Sequence, residues 1–188
     1  MGGFGVAPVV PQRDRPGRGG AVTQEMLQGW LSKLGAGAEV DMADAAQTIP
    51  TSTSTAVQWS RATMDTHGFW TPTAPTLLTV PRGLDGVYIA SGAIRWDGNI
   101  VGSRTQSIAV TIASGVMAQS IKATTWDAVS VSDRWFPFVT RRLYLAAGDS
   151  VRATVFQDSG GDLDLVDSAD GFLQLTRVGD LPREARVL

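Results

Sequence analysis

Apolar and polar positions alternate most cleanly over residues 87–96. Tyr88, Ala90, Gly92, Ile94 and Trp96 fall on one face of an extended segment, and Val87, Ile89, Ser91, Ala93 and Arg95 on the other. Asp97-Gly98-Asn99 then supplies hairpin-turn chemistry. The same period of two recurs in Ile108, Val110 and Ile112 against Ser107, Ala109 and Thr111. Val129 and Val131 hint at a further strand. Val139, Leu143 and Leu145 lead into the turn Ala147-Gly148-Asp149, and Val151, Ala153 and Val155 into Asp158-Ser159-Gly160-Gly161. Leu163 and Leu165, then Leu173 and Leu175, complete the set. Strands spaced every ten to fifteen residues with turns between them predict an all-β fold, a β-sandwich or jelly roll.

The front of the chain follows other rules. Residues 1–20 hold six glycines, three prolines and three arginines, with no period of 2.0 or 3.6. Fully stretched, such an arm reaches about 66 Å at ~3.3 Å per residue. Holding it still costs on the order of 20–40 kcal/mol of backbone entropy, which its few large apolar groups do not offset. The arm is expected to lie against a partner surface, with folding back onto its own domain as the rival. Residues 23–34 predict one short helix. Thr23 caps it, Glu25 sits in the favourable first turn, and Met26, Leu27, Trp30, Leu31 and Leu34 form one apolar stripe before Gly35. That stripe needs a dock: its own domain, a sister subunit or a particle. Residues 36–56 are small and polar and read as a linker into a first strand near 57–64. The expected organisation is an arm over 1–22, helix and linker over 23–56, a jelly-roll domain over 57–180 and a tail over 181–188.

The order of several short motifs carries a resemblance. Asp65-Thr66-His67-Gly68-Phe69-Trp70, Leu78-Thr79-Val80-Pro81 and Gly86-Val87-Tyr88-Ile89-Ala90 are followed by Leu143–Val151, Gln157-Asp158-Ser159-Gly160 and Phe172–Arg177. Together these resemble the trimeric jelly-roll heads of the complement and tumour necrosis factor proteins, over roughly residues 57–178. The resemblance implies a homotrimer. Neither a collagen stalk nor a long heptad run precedes the domain, and the cysteine-free, Ala/Arg/Gly-rich style is similar to bacteriophage virion proteins with this fold. Val87 and Ile89 on one strand, and Phe156 opposite Val151, Ala153 and Val155 on another, are the candidates for the subunit interface.

Composition narrows the chemistry. The chain has 188 residues, 43% apolar and 18% charged, and net charge −2. That suits a globular domain and argues against nucleic acid as a partner. With no cysteine, disulfides and thiolate sites are excluded. No apolar run approaches the ~20 residues that span a bilayer, and residues 1–20 lack the apolar core of a secretory signal. His67 is the only histidine and sits in a turn-like segment without a nucleophile elbow, so it reads as a solvated loop residue. Asp158, Asp162, Asp164, Asp167 and Asp170 lack the spacing of a calcium loop and read as a solvated hairpin. No phosphate-binding glycine loop is present, and no cofactor is called for. Arg13, Arg15 and Arg18 on the arm, with Met26, Leu27, Trp30 and Leu31 on the helix, are candidates for anchoring to a particle. Trp126 and Trp135 are candidates for stacking on a glycan. The expectation is a non-enzymatic virion protein, assembled in the host cytoplasm, that binds itself and the head or tail proteins of a phage. A tail-tip or fibre module that recognises host glycans is the second reading, and a polysaccharide-degrading enzyme is a remote third.

Overall fold

The computed structural model describes residues 33, 35–43, 46–113, 117–127, 134–166 and 168–180. They form thirteen strands in two antiparallel sheets that pack face to face as a jelly-roll sandwich. In chain order these are β1 (Gly37–Met42), β2 (Gln47–Ile49), β3 (Thr55–Ala56), β4 (Arg61–Asp65), β5 (Leu78–Thr79), β6 (Gly86–Trp96), β7 (Ser103–Thr111), β8 (Met117–Asp127), β9 (Arg134–Val139), β10 (Leu143–Leu145), β11 (Ser150–Gln157), β12 (Leu163–Leu165) and β13 (Ser168–Gly179). One sheet runs β2-β12-β6-β13-β1-β4, with β9 and β10 also paired to β6; the other runs β3-β11-β7-β8, with β5 on β11.

Side-chain alternation explains how the sheets meet. On β6 the row Tyr88, Ala90, Ile94 and Trp96 faces inward and is buried. It meets Leu173 and Leu175 of β13 in register at Gly92 and Ala90, with Phe138 and Phe136 of β9 at Gly92 and Ile94. Val151, Ala153 and Val155 of β11 close the core from the second sheet, beside Ile108 and Val110 of β7. Phe69 packs edge-on against Tyr88, with ring centroids 6.1 Å apart. The Tyr88 hydroxyl donates to the Leu84 carbonyl at 2.5 Å. Burial pushes its pKa up to about 12, with the Arg177 cation opposing the rise.

The structure starts the sheet earlier than the linker reading of residues 36–56. Gly37–Met42 is a strand between β13 and β4, and Ala38 and Val40 are fully buried. Its small residues disguise it: Ala36, Gly37 and Ala38 suit a crowded interior position, not a flexible linker. In the expected first strand, Val57 and Trp59 are core residues held by single backbone bonds to Ala153 and Pro75, and pairing begins only at Arg61. Ile112 lies beyond the end of β7 and is exposed. The arm, the predicted helix stripe, Val129, Val131 and residues 181–188 lie outside the described residues.

Gly92 sits where β6 is crowded on both sides. A Cβ there would run into the Phe172 carbonyl oxygen and the Phe138 ring. Gly92→Ala is expected to lower the unfolding free energy by about 1–3 kcal/mol through overpacking, measured by urea denaturation of the full chain.

Candidate functional site

The outward face of the larger sheet is the site with the most unusual chemistry. Residues that alternate with the core row project from β6: Val87, Ile89, Ser91, Ala93 and Arg95. Their cross-strand partners share that face. Tyr144 lies opposite Val87, Thr176 opposite Ile89, Val139 and Gln174 opposite Ser91, Pro137 and Phe172 opposite Ala93, and Trp135 opposite Arg95. Val139 is 70% exposed, Tyr144 57%, Val178 47% and Trp135 38%. Large apolar groups thus recur along this face.

The face has three zones. At the start of β6, Val87, Ile89, Tyr144 and Val178 line a cleft of about 340 Å³, completed by Arg142 and Asp180. Across the middle runs a polar ladder. Ser91 Oγ donates to Gln174 Oε1 at 3.4 Å, Gln174 Nε2 donates to Glu39 Oε2 at 3.2 Å, and Thr63 Oγ1 donates to Glu39 Oε1 at 2.9 Å. Beyond it lie Ala93, Phe172, Pro137 and Trp135, with the Arg95 guanidinium carbon 5.6 Å from the Trp135 ring centroid.

Among the described side chains, the second sheet turns Thr105, Ser107, Thr111, Arg152 and Thr154 outward. Phe156, half-buried, belongs to it. The structure therefore brings Val87 and Ile89 together but separates them from Phe156 by the thickness of the sandwich, so one flat contact cannot hold all three. Trp135 stands on the candidate face. Trp126 is placed by its backbone on β8, in register with Arg104, on the other sheet. Arg13, Arg15, Arg18, Met26, Leu27, Trp30 and Leu31 lie outside the described residues. Val139, Tyr144 and Val178 were not among the sequence candidates. Their signal was present: Leu143-Tyr144-Leu145 alternates around an outward tyrosine, and Val178 continues the row Phe172, Gln174 and Thr176.

Titratable groups near the domain's ends hold loops. The Asp65 carboxylate accepts backbone N–H bonds from His67 (3.2 Å), Gly68 (2.8 Å), Phe69 (2.9 Å) and Trp70 (3.0 Å). Burial pushes this carboxyl upward, and the four donors outweigh it and hold the pKa below the ordinary value. Next to it, Thr66 Oγ1 both donates to the Gly37 carbonyl and accepts from the Gly37 amide, each at 3.0 Å, which fixes the start of β1. His67 is exposed, with Nδ1 2.8 Å from Thr66 Oγ1. Asp158 accepts the Ser103 amide, which lowers its pKa; Asp162 and Asp164 are exposed. Among the described residues no three His, Cys, Asp or Glu side chains gather as metal ligands.

The fold is that of the tumour necrosis factor jelly roll. The Eiger TNF structure from S. frugiperda aligns with a TM-score of 0.51 at 17% identity, over 79% of this chain and 96% of that one. Murine APRIL at pH 5.0 aligns with a TM-score of 0.53 at 11% identity, over 77% and 99% of the two chains. At such identities the likeness is one of fold. No family model and no curated protein matches the sequence.

Asp65→Asn is expected to cost about 1–3 kcal/mol at neutral pH, because a charged acceptor of several bonds is lost. The wild-type carboxyl titrates lower folded than unfolded. Its contribution is therefore complete above the ordinary value of 3.8 and disappears as pH falls through the lower folded value. Denaturation between pH 2 and 7 should show that loss in the wild type and a flatter acid limb in the variant.

Proposed function

We propose that this chain is a non-enzymatic homotrimer that presents a jelly-roll head on a phage particle and is tethered there by residues 1–22. The apolar outward face of the larger sheet carries the self-association part of the reading. A sheet with a core on one side and Val139 and Trp135 open on the other leaves large apolar groups in water. The tumour necrosis factor heads that the sequence resembles cover such a face with two sister subunits. Covering about 800 Å² per partner returns about 20 kcal/mol gross at ~25 cal/mol per Å². Association costs of about 4–15 kcal/mol leave a net gain. The Ser91–Gln174–Glu39 ladder suits the same role, since polar groups already paired within the subunit lose little when water leaves.

The particle setting rests on the arm. Its glycines and prolines suit a tether, and Arg13, Arg15 and Arg18 supply charge for an acidic shell or tail surface. A tail-tip module that recognises host glycans is the second reading, favoured by the exposed ring of Trp135, one of whose partners is already Arg95.

Sedimentation velocity should give three times the 19.9 kDa chain mass. Val139→Asp, at a position too exposed to harm the monomer, should drop it to one chain with an unchanged circular-dichroism spectrum. A wild-type monomer at micromolar concentration would overturn the assembly. Removal of residues 1–22 should keep the trimer but abolish its incorporation into phage particles, read by quantitative mass spectrometry of purified particles. Normal incorporation would sink the tether, and binding of the head alone to host cells would favour the glycan reading.

A further inference from the structure

We propose that the cleft at the start of β6 is the dock for the apolar stripe Met26, Leu27, Trp30 and Leu31 of the same chain. The point of entry carries the argument. The Arg177 guanidinium is nearly fully buried and joins three partners: it donates to the Lys33 carbonyl at 3.4 Å, to the Asp85 carbonyl at 3.1 Å and to the Asp180 carboxylate. Asp180 itself lines the cleft. The chain thus enters the domain one guanidinium's width from the cleft, and Leu31 stands two residues before Lys33, within about 7 Å of chain.

Dimensions and chemistry match. From Met26 to Leu31 a helix rises about 7.5 Å, the width of one to two strand spacings of about 4.8 Å. That carries the stripe across β13 and β6 towards Tyr144 on β10. The cleft offers Val87, Ile89, Tyr144 and Val178 to an apolar guest and Arg142 to Glu25, the acid in the first turn of the segment. The assignment chooses among the docks left open by the sequence and divides the N-terminal region by role. Residues 23–34 seal the base of the head, and residues 1–22 are the part free to reach a particle. It does not depend on the trimer.

The absence of native cysteine makes the test direct. Val178→Cys reports on the cleft and Val139→Cys on the same face away from it. In the full chain, adding Leu27→Asp and Leu31→Asp should raise the maleimide-labelling rate at position 178 at least tenfold and leave position 139 unchanged. No change at 178, or an equal rise at both sites, would overturn the proposal. Failure of the trimer reading would show separately, as fast labelling at 139 in every background together with a monomer mass. In a Leu31→Cys/Val178→Cys chain, a short bismaleimide should give a single-chain product on a denaturing gel; a two-chain product would overturn docking within the subunit.

Discussion

β6 is a strand with apolar residues on both of its faces, and the rest of the molecule is arranged around that constraint. Its inward row anchors the core. Four neighbours, β13, β9, β10 and β12, take their register from it. Gly92, in the middle of that row, lets the Phe138 ring and the β13 backbone close to contact distance. The outward row then has no core to enter. A β-strand cannot turn one residue without turning its neighbours, because successive side chains must point to opposite faces. Once Tyr88 and Trp96 are inside, Val87 and Ile89 are committed to the surface with Tyr144, Val139 and Val178.

The two outward surfaces of the sandwich differ accordingly. Among the described side chains, the smaller sheet turns mainly hydroxyl groups and Arg152 outward, as a solvated antiparallel sheet does. The larger sheet shows apolar groups on either side of an internally satisfied polar ladder. This asymmetry sets the outward face of the larger sheet apart from that of the smaller one. The aspartates follow the same economy. Asp65, Asp85, Asp149 and Asp158 each accept backbone amides at loop entrances, the local bonding that short acidic side chains do best.

Legibility in the sequence tracked periodicity. The long alternations of β6 and β11 and the leucine pairs of β12 and β13 stand where the pattern put them. β1 was hidden because its interior positions are filled by small residues. The start of β7 was hidden because Arg104 and Gln106 occupy inward positions and are buried. Arg104 is held there by the Trp96 ring 5.7 Å away and by the Val101 and Ser103 carbonyls, and burial lowers its pKa despite the nearby Asp158 carboxylate. A polar residue whose partners lie on another strand looks exposed until the strands are assembled. Of the candidate face, Val87, Ile89 and Trp135 were legible, but the set was not.

By itself, the sequence determined the fold class and the direction in which each alternating side chain points. Those properties are local: they follow from a period of two and from the conformational freedom of individual residues. The tertiary structure alone decided which outward residues share a surface, because cross-strand register joins positions dozens of residues apart. It put Val87 beside Tyr144, set Phe156 on the opposite side, and used the buried Arg177 guanidinium to bring the entry of the chain to the edge of the cleft.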